Sequence, residues 1–163
     1  MNSPEPAASG ASPEALAFVE DFALTFERLG LVRMTGRVMG WLLVADPPEQ
    51  TFAEITAVLQ ASKGSISTAL KFLTTARWVD KVSKPGDRRD YYTIRPGVMP
   101  DLIKQQAAQY SLFTQTLARG FDLFDDPESP KTERLRDMYD FFAWMEKELP
   151  ALMERWDREQ RRH

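Results

Sequence analysis

Residues 51–95 read TFAEITAVLQASKGSISTALKFLTTARWVDKVSKPGDRRDYYTIR, and this stretch decides the fold. Thr51 and Glu54 have capping-box spacing: the hydroxyl can accept from an orphan N–H while the carboxylate reaches back to the cap's own N–H. A short helix is predicted here, with Ile55, Val58 and Leu59 on one apolar stripe. Gln60 and Ala61 break that pattern, and Ser62 is a suitable N-cap for a second helix. In it Ile66, Ala69, Leu70 and Leu73 recur at i, i+3, i+4 and i+7, so one face is predicted to be buried.

The opposite face carries Gly64, Ser67, Thr68, Lys71 and Thr75, all small, hydroxylic or cationic. Ordinary exposed helices mix both signs of charge, yet no Asp or Glu occurs between positions 62 and 79. Two strands are predicted next, over 78–83 and 90–94, joined by Lys84-Pro85-Gly86-Asp87-Arg88-Arg89. Pro-Gly marks the turn, and three cations crowd its tip. Helix, tight turn, helix and basic-tipped hairpin make a winged helix-turn-helix. The predicted class is mainly α with a small β-wing.

Upstream, residues 1–11 are rich in Ser, Pro, Ala and Gly and are predicted to be a disordered tail. Ser12, Pro13 and Glu14 then start a helix: a capping hydroxyl, proline at the first helical position and an acid near the positive end of the dipole. Leu16, Val19, Phe22, Phe26 and Leu29 form its apolar face, and Gly30 suits its end. A second helix is predicted over 33–45, with Val38, Met39, Trp41, Leu42 and Leu43 buried, before Asp46-Pro47-Pro48 stops it.

Downstream, Pro100-Asp101 is predicted to open a long helix that Asp125-Asp126-Pro127 ends. Ser129-Pro130 caps the last helix, where Leu135, Met138, Phe142, Met145, Leu149, Leu152 and Trp156 are spaced as a heptad seam. Pro150 falls inside that seam and is expected to kink or restart the helix. The terminal helices carry more large apolar side chains than a winged helix needs to cover itself. Leu16, Phe22 and Phe26, together with the seam residues, are therefore expected to build a two-fold dimer. The alternative is a seam that closes within the chain on the helix of 100–125. The expected division is tail 1–11, N-terminal dimerisation helix 12–32, winged helix-turn-helix 33–98 and C-terminal helical dimerisation region 99–163.

Over 62–95 eight basic residues face three acidic ones, so this stretch carries +5 and the remainder −8, for a net charge of −3. A basic module on an acidic body is the electrostatic footprint of one nucleic-acid face. With no cysteine, disulfides, zinc-thiolate sites and thiol nucleophiles are excluded. Neither a signal peptide nor a bilayer-length apolar run is evident, so a cytoplasmic protein without membrane contact is expected. His163 is the only histidine, no serine has a base partner and no glycine-rich phosphate loop follows a strand. No catalytic residue, metal site or cofactor is expected.

Three stretches carry a family likeness: FERLGLVRMTGRVMGWLLVADPPEQ (26–50), ASKGSISTALKFL (61–73) and KPGDRRDYY (84–92). On these the chain resembles the MarR superfamily of bacterial repressors and, within it, the GbsR-like branch. The resemblance implies a homodimeric repressor on a pseudo-palindromic double-stranded operator, with activation left open. Ser62, Lys63, Gly64, Ser65, Ser67, Thr68 and Lys71 would face DNA from the recognition helix. Lys84, Arg88 and Arg89 would do so from the wing, with Asp87 orienting Arg89. Family members commonly bind a small-molecule effector in a cleft near the dimer helices, and Trp41, Tyr110, Phe113, Phe142 and Trp144 are candidates to line it. Two rivals stand beside this reading: an architectural DNA binder without a ligand, and a winged helix used for protein contact.

Overall fold

The computed structural model describes residues 11–126 and 128–161, and the chain divides between Pro96 and Gly97 into two compact units. The first unit contains helices α1 (Pro13–Arg28), α2 (Arg33–Val44), α3 (Phe52–Leu59) and α4 (Lys63–Thr75). Its strands are β1 (Gln50–Thr51), β2 (Val79–Ser83) and β3 (Asp90–Ile94), which pair antiparallel in the order β1-β3-β2. The second unit contains α5 (Val98–Gly120) and α6 (Glu133–Gln160), with short 3-10 turns at Phe121–Leu123 and Pro130–Thr132 between them.

Local signals explain most of these boundaries. Ser12 Oγ accepts from the Ala15 N–H, and Thr51 and Glu54 form the full capping box at the start of α3. Gln60 turns into the left-handed region (φ 47°) to end α3, and Ser62 restarts the chain as the N-cap of α4. Ile55, Leu59, Ile66, Ala69, Leu70 and Leu73 are buried, with Val19, Val38, Met39 and Trp41, in the core of the first unit. Strand β1 was not predicted. It is two residues long, held because Gln50 is buried and takes a hydrogen bond from the Trp41 indole at 3.2 Å.

Several expectations are corrected. Residues 1–10 of the predicted tail lie outside the described residues, but Ala11 packs against the core. Leu29 is 72 % exposed, because α1 ends at Arg28 before its periodicity does, and Leu43 is 46 % exposed on the outer side of α2. Phe26 is buried, with its ring edge-on to Trp78 at 5.8 Å, so it belongs to the core of its own unit and is unavailable to a partner. The helix expected as a separate element over 12–32 packs on α2 within the first unit.

In the second unit α5 starts at Val98 rather than Pro100, with Gly97 in the left-handed region (φ 70°) as its N-cap. It ends at Gly120, short of the acidic pair, because Phe121–Leu123 tightens into a 3-10 turn; Pro127 lies outside the described residues. Ser129 caps the second 3-10 turn, not α6 itself, and α6 continues unbroken through Pro150. The two helices form an antiparallel hairpin: Lys104 pairs with Asp157 at 2.8 Å, Phe113 stacks on Phe142 at 4.7 Å, and Leu135 covers Gly120. Part of the heptad seam therefore closes within the chain, as the alternative reading had it. Met138, Leu152 and Trp156 of the seam remain between 44 % and 53 % exposed.

Candidate nucleic-acid interface

Burial of Ile66, Ala69, Leu70 and Leu73 fixes the roll of α4, so the other face must point outward. Lys63, Gly64, Ser67, Thr68, Lys71 and Thr75 are all exposed. Ser62 and Ser65 are engaged with each other: the Ser62 hydroxyl accepts from the Ser65 N–H at 3.2 Å, and their oxygens lie 2.7 Å apart. Their first task is to cap α4. That leaves Lys63 and Lys71 as its cations, and neither forms an ion pair with a described residue.

Helix α4 and the wing share a cleft of about 230 Å³ lined by Phe52, Ser67, Leu70, Lys71, Thr74, Lys81 and Tyr92. Lys71 and Lys81 thus reach one face from two elements. Sequence reasoning missed Lys81, although its place on the predicted strand 78–83, three positions before Lys84 of the loop, was available as a signal. Lys81 also pairs with Asp90 at 2.8 Å across the hairpin, which raises its pKa.

The wing residues separate by partner. Lys84 Nζ lies 2.9 Å from a Glu49 carboxylate oxygen and 4.2 Å from the centre of the Tyr91 ring. Its pKa is raised by the hydrogen bond to Glu49. Arg89 donates from Nε and a terminal nitrogen to Asp87 at 2.7–3.1 Å, and its backbone N–H donates to the same carboxylate at 2.9 Å. The Asp87 carboxyl is held well below the usual carboxylate range, first by the Arg89 side chain, then by the Tyr91 hydroxyl and the Arg89 N–H. Arg88 is exposed and makes no ion pair with a described residue.

A second depression, about 660 Å³ and mostly apolar, lies between the segment Gly30–Thr35 and the flank of α4 formed by Gly64, Ser65, Thr68, Ala69 and Phe72. The aromatic residues expected to line an effector cleft divide between the two units. Trp41 is 3 % exposed in the core of the first unit, with its N–H spent on Gln50. In the second unit Tyr110 and Phe113 pack on Phe142 at 5.6 and 4.7 Å, so these rings fill the hairpin. Trp144 is 57 % exposed, on a groove along α6 with Leu149 and Leu152. Of the five, only Trp41 is a core residue; Tyr110 and Phe142 are half-buried, and Phe113 and Trp144 are exposed.

Comparison with known proteins agrees with this geometry. The HTH-type transcriptional regulator MmpR5 of Mycobacterium tuberculosis is 34 % identical over 137 residues, covering 84 % of this chain and 83 % of that protein. The chain belongs to the MarR family of transcriptional regulators. Residues 29–90 match the MarR family itself, and 97–160 match the MmpR5-like MarR family transcriptional regulators. A crystal structure of a transcriptional regulator, 31 % identical, superposes with a TM-score of 0.72 over 90 % of this chain and 99 % of that one. The protein is thus a DNA-binding winged-helix regulator and not an enzyme. Among the described residues no helix is long and apolar enough to cross a membrane, and no cluster of acidic or histidine side chains could hold a metal ion.

Proposed function

We propose that the protein is a cytoplasmic homodimeric repressor of the MmpR5-like kind. It binds a pseudo-palindromic operator through α4 and the wing and leaves it when a small apolar effector binds. The observation that carries the reading is the acid-free outer face of α4, whose unpaired Lys71 shares a cleft with Lys81 of the wing. A cation that neutralises a phosphate displaces its counterion, and one without an internal partner gives up no ion pair to do so.

The homodimer is supported by the second unit, where Met138, Phe141, Trp144, Leu152 and Trp156 of α6 are 44–57 % exposed. A pair of such faces would bury apolar surface on association, and a two-fold dimer on successive major grooves presents its two α4 helices about 34 Å apart. For the effector, the apolar cleft beside Gly30–Thr35 replaces the aromatic set, because a molecule there would touch Ser65, Thr68 and Phe72 of α4 directly. Binding there shifts the protein only if the DNA-competent arrangement holds the molecule less well. The GbsR-like branch would call for an aromatic cage around a quaternary ammonium ion. Tyr110, Phe113 and Phe142 are occupied with one another instead, which supports the MmpR5-like assignment.

A gel-shift with DNA from upstream of the protein's own gene tests the reading. Sequence-specific retardation at physiological salt is expected, and Lys71→Ala should lower the salt slope by about one unit. Sequence-blind retardation would indicate an architectural binder and overturn it; no retardation of any duplex would indicate a protein-contact module.

A further inference from the structure

Tyr91 lies in the middle strand of the wing sheet, opposite Thr51 on one side and Val82 on the other, and is 7 % exposed. Its hydroxyl sits at the centre of the wing's polar contacts. It donates to Asp87 Oδ2 at 2.7 Å and accepts from an Arg89 terminal nitrogen at 2.8 Å, while that same nitrogen donates to Asp87 at 2.7 Å. The three groups form a closed triangle. Above the ring stand Lys84 at 4.2 Å and the Arg89 guanidinium at 5.5 Å, and Lys84 is in turn fixed to Glu49, next to β1.

We propose that Tyr91 is the positioning residue of the wing: its phenol locks the Asp87–Arg89 pair onto the sheet, so that Arg89 is presented to DNA in one orientation while Arg88 remains the mobile cation of the tip. An exposed Asp–Arg pair alone has several geometries of similar energy and pays rotamer entropy to keep one. A hydroxyl carried by a buried ring on the central strand removes that freedom, because it accepts from the guanidinium and donates to the carboxylate at once. Arg89 lies two residues before Tyr91, just ahead of β3, and from there its guanidinium reaches the Tyr91 hydroxyl. The proposal rests on the DNA-binding reading above, and its test separates the two.

The experiment uses full-length protein, Tyr91→Phe, Arg89→Ala and the double variant, with a duplex selected from a random library by the unmodified protein. Tyr91→Phe keeps the ring and should leave the thermal midpoint almost unchanged. In 15N NMR spectra the Arg89 Nε–H signal should exchange slowly in the unmodified protein and rapidly in Tyr91→Phe. Affinity for the selected duplex should fall about three- to tenfold, the scale of one ordinary net hydrogen bond. In the Arg89→Ala background the same change should cost nothing more, since a residue acting through Arg89 has nothing left to position. An unchanged Arg89 signal, or losses that add in the double variant, would overturn the proposal. If the unmodified protein selects no duplex, the DNA-binding reading fails and the Nε–H exchange alone decides whether Tyr91 holds Arg89.

Discussion

The two units of this chain solve the problem of burial in opposite ways. In the first, thirteen apolar residues from α1, α2, α3, α4 and β2 close around one another. In the second, only Val98, Thr132 and Leu149 are buried among the described residues, and rows of large apolar side chains stay open on α5 and α6. A winged helix can complete its own core; a two-helix hairpin cannot, because each helix has a second face with nothing to cover it. The first unit therefore has an internal source of stability, whereas the hairpin leaves open a face that the proposed homodimer would cover.

The largest expected effect comes from attacking that open face. Phe141 and Trp144 are 55 % and 57 % exposed on α6. Replacing both with Ala should remove roughly 3–6 kcal/mol of association free energy, at about 1.5–3 kcal/mol per large side chain. Sedimentation velocity should then show monomers at micromolar concentration, with the helical circular dichroism retained. Unchanged sedimentation would remove the contrast between the units. The internal source is probed by Leu73→Ala. Leu73 is fully buried at the back of α4, and the substitution should cost about 2–5 kcal/mol in urea unfolding. A cost below about 1 kcal/mol would mean the core is not closed as described.

Much of the reading head was legible in the sequence, since its signals are local. Thr51 and Glu54 cap across three residues, Ser62 caps α4, and the Ile66–Leu73 stripe sets which side faces outward. What stayed hidden depends on pairs far apart in the chain. Gly36 and Gly40 pack α2 so tightly on α1 that a Cβ at Gly36 would lie 2.8 Å from Ala23 Cα, a contact that the glycine spacing hints at but cannot assign to a partner. The hairpin was misread at its ends, where Gly120 and Ser129 lead into 3-10 turns whose boundaries tertiary packing sets. Periodicity likewise marks Tyr110 and Phe113 as apolar without telling core from cavity.

Gly36→Ala sharpens the comparison within the first unit, since it pushes α1 away from α2 without removing any apolar group. The added methyl meets the Ala23 backbone and Phe26 Cβ, both at 2.8 Å, and a backbone atom cannot give way as a flexible side chain would. A loss of about 1–3 kcal/mol is expected, read as a lower urea midpoint with an unchanged slope. In Phe141→Ala/Trp144→Ala protein the same substitution should cost the same amount, because the affected contacts lie wholly inside the first unit.

The smallest effect concerns charge, where the units also differ. In the hairpin Arg158 and Glu154 lie 3.9 Å apart and are 59 % and 75 % exposed, a geometry that contributes little. In the reading head Arg37 donates to Glu20 at 2.6 Å and to the Leu59 carbonyl at 3.0 Å, so one guanidinium joins α1 to the last turn of α3 beside the left-handed Gln60. Burial pushes the Glu20 carboxyl up, but hydrogen bonds from Arg33 and Arg37 outweigh it, and the net shift is downward. A folded-state value below the unfolded one means the pair stabilises the protein above the ordinary glutamate range and loses that contribution as pH falls through the lowered value. Glu20→Gln should therefore cost a few tenths to about 1 kcal/mol near neutral pH, allowing for the partial exposure of the pair. The deficit should shrink steadily in acid, whereas Glu154→Gln should leave the urea midpoint unchanged at every pH. A deficit for Glu20→Gln that persists in acid would show that its partners read the shape of the side chain and not its charge, and the contrast in charge between the two units would vanish.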